Sequence, residues 1–301
     1  MRKRRAFIRF PETYGSDASL LASQKELDGL NIKFTATIYS QAGMPAETHI
    51  EVFNLNRKDM QFLTTSAATW LEKQSLIQLY AGYDDDVKLI FSGMVMEAIP
   101  QGNPDVGLTI KGLSDMQWMT DNVQIKMTDT TIMGLIEKVA ELMNYTINIP
   151  EELKNDNEWL NKKIDEFSYT GTPMGFLGRV QAMCGGFRLD EKSYMLSVFN
   201  NELYLWNAKT RENAPRLLIS KHTGMVGYPH PTGYGVNVKL MLNPNIRCGD
   251  VIRIESERIP MCNGDYYVSA IRHEGELRAN EWYTTLECSH AKHFMGGALN
   301  A

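Results

Sequence analysis

The chain has 301 residues, of which 43% are hydrophobic and 22% are charged. This length allows one large domain or two to three ordinary ones, and the composition excludes disordered, collagen-like and disulfide-scaffold classes. The formal net charge of −5 argues against a dedicated nucleic-acid binder, because such proteins need a basic surplus to neutralise phosphates. No apolar run has the length of a spanning helix or a secretory signal, so we expect assembly in a cytoplasm.

The first block of the chain is β-rich. From Asn31 to about Lys126, apolar residues alternate with polar ones, which is the pattern of half-buried strands. The predicted strands are Ile32–Tyr39, Thr48–Phe53, Leu76–Ala81, Lys88–Ile99 and Val106–Lys111. Between the second and third strands, apolar residues at helical spacing predict a short helix and its flanks at Asn56–Leu71. We assign residues 1–127 to an N-terminal β-domain.

The pattern then changes to a helical period. Apolar residues from Ile132 to Met143 recur at i, i+3, i+4 and i+7, with Asp129 as the expected N-cap and Asn144 as the expected end. A second helix is predicted from Thr172–Pro173 to Gly185–Gly186, because Thr caps and Pro fits the first turn. Both helices belong to a segment that differs in period from the block before it.

The second helix is followed by short strands. A strand is predicted at Phe187–Leu189, and a hairpin is predicted from Tyr194–Phe199 and Glu202–Trp206 with its turn at Asn200–Asn201. Residues 128–207 therefore form the expected small α+β insert.

From Arg216 onward the alternation returns, and turn signals divide the segment. The predicted strands are Arg216–Ser220, Val236–Leu242, Asp250–Ile254, Tyr266–His273 and Trp282–Cys288. We assign residues 208–301 to a C-terminal β-domain. The predicted fold class is α+β and mostly β.

The two β-rich blocks repeat one order of elements, namely strand, long hairpin, strand. The matching segments are Leu76–Leu79, Met94–Ile99 and Gly107–Ile110 in the first block, and Val251–Ile254, Tyr267–Ile271 and Tyr283–Leu286 in the last. Meandering sheets also produce such echoes by chance. The interpretation that we carry forward is two similar β-domains that flank the insert.

The search for catalytic motifs finds no nucleophile elbow, Walker motif or zincin helix. Gly171, Gly175 and Gly178 resemble a phosphate-binding loop, but Pro173 removes a donor, so we interpret the segment as a helix entry. His273–Glu274 begins like a zincin motif but lacks the second histidine, which indicates an ordinary loop.

Two groups of residues could carry chemistry by composition. Cys288, His290 and His293 place three potential zinc ligands close together, but their spacing is not a recognised ligand pattern. Asp84–Asp86 and Glu151–Glu152 could serve a peptidoglycan hydrolase, and the aspartates a calcium loop. Acidic runs are usually solvated, and the aspartates fall at an expected hairpin tip. We therefore predict no catalytic, cofactor-binding or metal site.

Other residue types suggest packing rather than chemistry. The tryptophans at Trp70, Trp118, Trp206 and Trp282 lie in apolar patterns and are expected in the core or in subunit contacts. The four cysteines are expected to be reduced thiols, in a chain without a signal peptide: Cys184, Cys248, Cys262 and Cys288. The basic start at Arg2–Arg5 is expected to be a solvated terminus, with contact to DNA or to an acidic partner as the alternative.

Three stretches, taken in order, resemble the baseplate hub proteins of tailed phages. They are Ile50–Leu55 with Leu89–Val95, then Phe167–Leu177, and finally Thr223–Pro229, Leu242–Asp250 and Asn263–Val268. The resemblance covers nearly the whole chain, and its order and spacing are more specific than any single piece.

This resemblance implies a homotrimer in which two tube-like β-barrel or sandwich domains per chain flank the insert and form a six-part ring. Such a ring could meet a sixfold tail tube on one side and a threefold central spike on the other. The implied partners are the tail tube protein, the central spike protein, the tape measure and other baseplate proteins, with DNA passing through the lumen without specific binding.

Two other functions remain as alternatives. A receptor- or glycan-binding tail protein would present aromatic side chains on exposed loops. A tail-associated cell-wall hydrolase would have a pocket with two convergent carboxylates. The hub interpretation predicts a virion structural protein, which is not an enzyme and has no cofactor.

Overall fold

The computed structural model describes residues 3–11, 25–68, 75–102, 106–150, 153, 157–184, 194–208, 210–211 and 214–290. Within these ranges the chain is mostly β, as predicted, and most strand pairs are antiparallel. The strand pairing of the large sheet has two ends, so the sheet does not close into a barrel within the described ranges.

The N-terminal block contributes strands β1 to β7 and helix α1. Their bounds are β1 Arg4–Phe10, β2 Lys25–Leu27, β3 Asn31–Tyr39, β4 Glu47–Phe53, α1 Arg57–Ala68, β5 Leu76–Tyr83, β6 Asp86–Gln101 and β7 Gly107–Leu113. The strands predicted from alternation are confirmed, and the helix predicted from helical spacing is confirmed over Arg57–Ala68, while residues 69–71 of its predicted range lie outside the described residues. In the basic start, Arg4 and Arg5 begin β1, which pairs with β5, while the side chains of Lys3 and Arg5 stay exposed as predicted; Arg2 lies outside the described residues.

The middle of the chain forms the α+β part. It contains α2 Gln117–Thr120, β8 Val123–Thr131, α3 Ile132–Met143, β9 Thr146–Asn148, α4 Asn157–Leu160, β10 Lys163–Gly171, α5 Pro173–Met183, β11 Met195–Phe199 and β12 Glu202–Trp206. β8 and β10 form a two-stranded ribbon, and β11, β12 and β9 form a three-stranded sheet. The expected boundary between residues 127 and 128 lies inside β8.

The last block contributes strands β13 to β18. Their bounds are β13 Leu217–Ser220, β14 His230–Pro231, β15 Gly235–Met241, β16 Val251–Glu255, β17 Gly264–Glu276 and β18 Trp282–Ser289, with a 3-10 helix at Pro260–Cys262. The five predicted strands are confirmed, and the pattern missed β14. β17 pairs with β3, so that one continuous sheet joins the first and last blocks.

The alternation of apolar and polar residues in the sequence gives the sheet one buried face and one polar face. In β3, Ile32, Phe34 and Ala36 are buried, while the residues between them are only half-buried. Successive side chains of a strand point to opposite faces, so one face of the sheet builds the core and the other remains open. The insert has its own core around Leu135, Ile136 and Phe176.

Two helix ends and one hairpin turn show how local sequence directs the insert. Thr131, not the expected Asp129, caps α3 by accepting a hydrogen bond from the Gly134 N–H at 3.1 Å. The expected end at Asn144 is confirmed by its left-handed φ of 50°. Asn200 and Asn201 have φ of 52° and 62°, as a tight hairpin turn requires. The segments Phe187–Leu189 and Gly185–Gly186 lie outside the described residues.

The two blocks contain matching four-stranded units. The first unit has the strand order β4-β7-β6-β5, and the second unit has the order β15-β18-β17-β16. All three pairings within each unit are antiparallel. The sequence echo therefore corresponds to a repeated arrangement of strands.

The match extends to the register. A β-bulge falls at the same step in both units, between Val95 and Glu97 opposite Gly112 and Lys111, and between Val268 and Ala270 opposite Cys288 and Glu287. A backbone hydrogen bond repeats beside the bulge, since the Val95 N–H donates to Ser75 O at 2.9 Å and the Val268 N–H donates to Asp250 O at 3.0 Å. β-bulges are specific features of a sheet, so equivalent residues can be assigned without sequence identity.

Candidate functional site

The open side of the large sheet is the most extensive surface that the two blocks build together. We call it the polar sheet face and define it as the odd-numbered residues of β15, β18, β3, β4 and β7, residues 97, 99 and 101 of β6, and residues 270, 272, 274 and 276 of β17. Most of the residues between them are buried in the core, whereas Pro100 near the end of β6 is exposed. The polar sheet face thus crosses from one unit to the other without interruption.

One row of facing residues spans all seven strands. Direct register pairs connect Met241, Tyr283, Glu274, Thr35, His49, Lys111 and Glu97. Neighbours in such a row lie about 4.5–5.5 Å apart across the sheet, so their side chains interact. Apart from Met241, the row consists of polar, aromatic and charged groups, which suits a solvated surface rather than a buried contact.

Acidic side chains outnumber basic ones on this face. It carries four basic side chains, Lys33, Lys111, Lys239 and Arg272, and six acidic ones, Glu47, Glu51, Glu97, Glu274, Glu276 and Glu287. Four positive and six negative charges leave a net charge of −2.

Each of the four basic groups lies within 4 Å of a carboxylate on the same face. The distances are 3.2 Å for Lys33–Glu51, 2.8 Å for Lys111–Glu97, 2.5 Å for Lys239–Glu274 and 3.8 Å for Arg272–Glu274. Exposed pairs of this kind contribute little to stability. Their effect here is to leave no uncompensated basic patch for a polyanion.

Two titratable groups of the face, Tyr39 of β3 and Glu287 of β18, are half-buried. Burial raises the pKa of the Glu287 carboxyl. Burial and the nearby charge of Glu47 raise the pKa of the Tyr39 hydroxyl, which therefore keeps its proton. These shifts come from packing and from like charge.

The suggested zinc ligands are not arranged as a site where the structure describes them. Cys288 lies on β18 and its side chain is buried in the core. Burial holds the pKa of its thiol well above the usual range, which disfavours the thiolate that binds metal. The His290 ring packs against the Tyr266 ring, with 4.4 Å between the ring centroids. His293 lies outside the described residues, and no group of three or more metal-ligating side chains occurs within them.

The carboxylate candidates do not converge either. Asp84 lies in the turn between β5 and β6, as predicted for a hairpin tip, and accepts a hydrogen bond from the Lys3 N–H at 2.8 Å. Asp86 is paired with Lys88 at 3.2 Å. Glu151–Glu152 lies outside the described residues.

The remaining sequence candidates are structural. Thr172 caps α5 by accepting a hydrogen bond from Gly175 N–H at 3.1 Å, so the glycine-rich segment is a helix entry as predicted. Trp206 and Trp282 are fully buried in the core and Trp118 is partly buried, while Trp70 lies outside the described residues. The four cysteines are buried free thiols.

His273–Glu274 lies within β17, not in the ordinary loop that the failed zincin motif suggested. His273 points into the core, and Glu274 belongs to the polar sheet face. The side chains of that face were missed by motif reasoning because they form no motif. The sequence does show the polar residues that alternate with apolar ones in each strand. Only the pairing register shows that the polar residues of seven strands form one continuous surface.

No helix of the described ranges is long and apolar enough to cross a membrane. A mostly antiparallel sheet with one polar face and two register-matched units defines a β-sheet protein built on a repeated unit. The chain is similar in fold to two solved tail proteins. The 43 kDa tail protein of prophage MuSo2 from Shewanella oneidensis has a TM-score of 0.64 at 7% identity, with 97% of this chain and 100% of that chain covered.

The tail protein from Neisseria meningitidis MC58 has a TM-score of 0.63 at 8% identity, with 97% and 98% covered. The E. coli c3393 protein, a component of the type VI secretion system, has a TM-score of 0.57 at 8% identity, with 88% of this chain and 75% of that chain covered. No curated protein sequence matches the chain.

The family model described as baseplate hub gp41 matches residues 17–288. The chain belongs to this family, as the sequence resemblance predicted, and is a structural component of the phage tail baseplate.

Proposed function

We propose that the chain is the trimeric hub that connects the sixfold tail tube to the threefold central spike. The observation that carries this proposal is the matched register of the two four-stranded units. Three chains with two similar units each present six units, so one ring can satisfy sixfold symmetry on one side and threefold symmetry on the other. This adaptation needs geometry and no catalysis.

The proposed organisation keeps the three expected parts. The first and second units are the two tube-like domains, residues 1–127 and 208–301, and they flank the insert of residues 128–207. Because β8 pairs with β10 of the insert, we move the start of the insert to Val123. The barrel or sandwich character of the two tube-like domains then depends on closure by neighbouring copies, which removes open sheet edges.

The polar sheet face is the proposed lining of the conduit for genome ejection. DNA would be retained by uncompensated basic side chains, whereas this face carries a net charge of −2 with every basic group paired on the same face. DNA would therefore pass without specific binding. We assign the opposite, apolar side of the sheet to the core.

The proposed partners are the tail tube protein and the central spike protein, with the tape measure and other baseplate proteins as further candidates. Assembly takes place in the host cytoplasm. We propose no cofactor and no enzymatic activity, so any lysis of the cell wall belongs to another tail component.

The stoichiometry of purified tails tests this function. Quantitative mass spectrometry is expected to find three copies of the chain in each tail. One ring of the tail tube contains six copies of the tube protein, so the expected ratio to one ring is three to six. Tails assembled without the chain should yield tubes and spikes that do not join. Six copies per tail, or tubes that still carry a spike in its absence, would overturn the proposal.

A further inference from the structure

The junction between the two blocks is a backbone ladder inside one chain. The outer edge of β17, from Ala270 to Glu276, pairs with β3 from Lys33 to Tyr39. In this ladder Glu274 lies opposite Thr35 and His273 lies opposite Ala36. It joins the β17 edge of the second unit to the strand that flanks the first unit.

The same two edges exist a second time, and the described residues leave them open. By the shared bulge, Pro100 and Gln101 of β6 hold the places of His273 and Glu274. No described strand pairs with the outer edge of β6 beyond Val95. The first unit therefore presents an edge equivalent to the one that β3 covers in the second unit.

The counterpart of β3 is β14, which flanks the second unit as β3 flanks the first. His230 pairs with Asn237 of β15 as Thr35 pairs with His49 of β4, and Asn237 and His49 hold the same place in their units. β14 ends the strand order of the large sheet within the described ranges. Each chain thus has two unpaired strand edges within the described ranges, one on β6 and one on β14. They correspond to the two sides of its own β17–β3 junction.

The exposed side chains along these edges suit a contact. Ile99 and Tyr234 are 48% and 44% exposed, and Tyr228, close to β14, is 57% exposed. In the register of the internal junction Ile99 lies opposite Thr232. Tyr234 lies two residues further along, in the turn that leads from β14 to β15.

The two edges share a feature that the internal junction lacks. Pro100 and Pro231 occupy the positions equivalent to His273 and Ala36, and proline has no backbone N–H to donate to a ladder. The Thr232 N–H donates inward to Gly235 O at 3.0 Å, so the neighbouring Pro231 faces outward. At this pair the internal junction has two backbone N–H groups, those of His273 and Ala36. The equivalent pair between copies, Pro100 and Pro231, would have none.

We propose that the β6 edge of one chain lies beside the β14 edge of a second copy in the register of the β17–β3 junction, and that Pro100 and Pro231 keep this contact weak in free chains. The partner is a second copy because both edges reproduce a junction that this sequence already makes. The number of copies in the closed ring rests on the proposed hub function. Ring closure then needs side-chain packing and the template of the tube or spike.

Cysteine cross-linking tests the contact directly. The proposed register places Gln101 opposite His230, at the ~4.5–5.5 Å between Cα atoms that a disulfide can bridge. A mixture of Gln101→Cys chains and His230→Cys chains is expected to give several-fold more covalent two-chain product than either variant alone. The native cysteines are buried and do not compete.

The matched control is Gln101→Cys mixed with Lys221→Cys, since Lys221 is exposed and outside the β14 edge. Equal yields from the test mixture and the control mixture would overturn the proposal. A chain that carries both Gln101→Cys and His230→Cys is expected to close into a covalent species of three chains.

The prolines are tested by restoring the donors of the internal junction. The double variant Pro100→His with Pro231→Ala is expected to lower the dissociation constant of the free chains about tenfold or more, because two backbone hydrogen bonds become available. Analytical ultracentrifugation measures this shift, and Pro229→Ala, outside the equivalent pair, should not cause it. An unchanged sedimentation profile for a folded double variant would contradict the role of the prolines.

The outcomes separate the contact from the hub function. Cross-linking that closes rings of a number other than three would refute the trimeric hub and leave the edge contact standing. Tails with three copies at the tube–spike junction whose Gln101→Cys and His230→Cys sites fail to cross-link would refute the contact and leave the hub standing.

Discussion

His273 is a buried titratable group at the centre of the sheet. Its Nδ1 lies 2.9 Å from the Thr284 hydroxyl oxygen, and the same oxygen accepts the Asn243 N–H at 2.9 Å. The hydroxyl has one donor and two acceptor positions, so the tautomer of the ring sets whether Thr284 donates to Nδ1 or accepts from it. Burial lowers the pKa of His273 to about 4, because the imidazolium would lose its hydration.

This histidine should make stability depend on pH. Its folded-state pKa lies below the ordinary value of 6.5, so the unfolded state binds more protons between these values. Its contribution is fully present above about pH 6.5 and is lost as the pH falls towards 4, by up to ~3 kcal/mol. Urea denaturation over this range measures the slope.

The variant His273→Asn keeps a side chain that can hydrogen-bond to Thr284 and cannot titrate in this range, so its stability should change less with pH than that of the native chain. His222→Asn, at an exposed histidine, should keep the native slope. Parallel profiles for the native chain and His273→Asn would show that another group is responsible.

At the scale of elements, the sequence predicted β3 and β4, which bury one face, and missed β10, which buries almost nothing; β1 was also absent from the predicted strands although it buries Phe7 and Ile8. β3 and β4 bury every second side chain, so their alternation is visible. β10 buries only Phe167 among its nine residues, and an exposed two-stranded ribbon leaves no apolar period to read. β14 was missed for a different reason, because two residues are too few for any period.

The α3 cap was misassigned because β8 was missed. Once β8 extends to Thr131, the helix begins directly after the strand, and the Thr131 hydroxyl rather than the Asp129 carboxylate reaches the Gly134 N–H. Cap residues are set by where the preceding element ends. The pattern fixed the end of the helix better, since Asn144 tolerates a left-handed backbone.

Removal of the cap should weaken the insert. Thr131→Ala is expected to lower the free energy of unfolding by ~1 kcal/mol, because one N–H of the first turn loses its acceptor. Chemical denaturation followed by circular dichroism checks this value. Asp129→Gly removes the carboxylate and accepts the φ of 49° at that position, so it should cost less; a larger loss for Asp129→Gly would reassign the cap.

At the scale of the molecule, the repeat of two β-blocks was predicted and their register was not. Equivalent positions hold dissimilar residues, such as Gly112 and Cys288 or Pro100 and His273, so residue identity hides the match. A sheet requires only that the correct face be apolar and that bulges fall at the same step. The polar sheet face could not be predicted either, because neighbours across seven strands are distant in sequence.

Charge reversal on the polar sheet face should turn the proposed conduit into a DNA-binding surface. Glu47→Lys with Glu276→Lys exchanges two negative for two positive charges, so four positive against six negative become six against four, and the net charge changes from −2 to +2. Assembled tails should then bind duplex DNA with a salt-dependent affinity and eject DNA more slowly. Glu137→Lys with Glu257→Lys makes the same exchange at exposed residues outside the face and should leave ejection unchanged. Equal effects of both pairs would contradict the lining role.

A reconstruction of the intact tail by electron cryomicroscopy tests the central claim most directly. The account predicts three copies of the chain between the last ring of the tail tube and the spike, with six four-stranded units around the channel and the polar sheet face directed inward. A chain placed away from this junction, a different number of copies, or a polar sheet face turned away from the channel would contradict it.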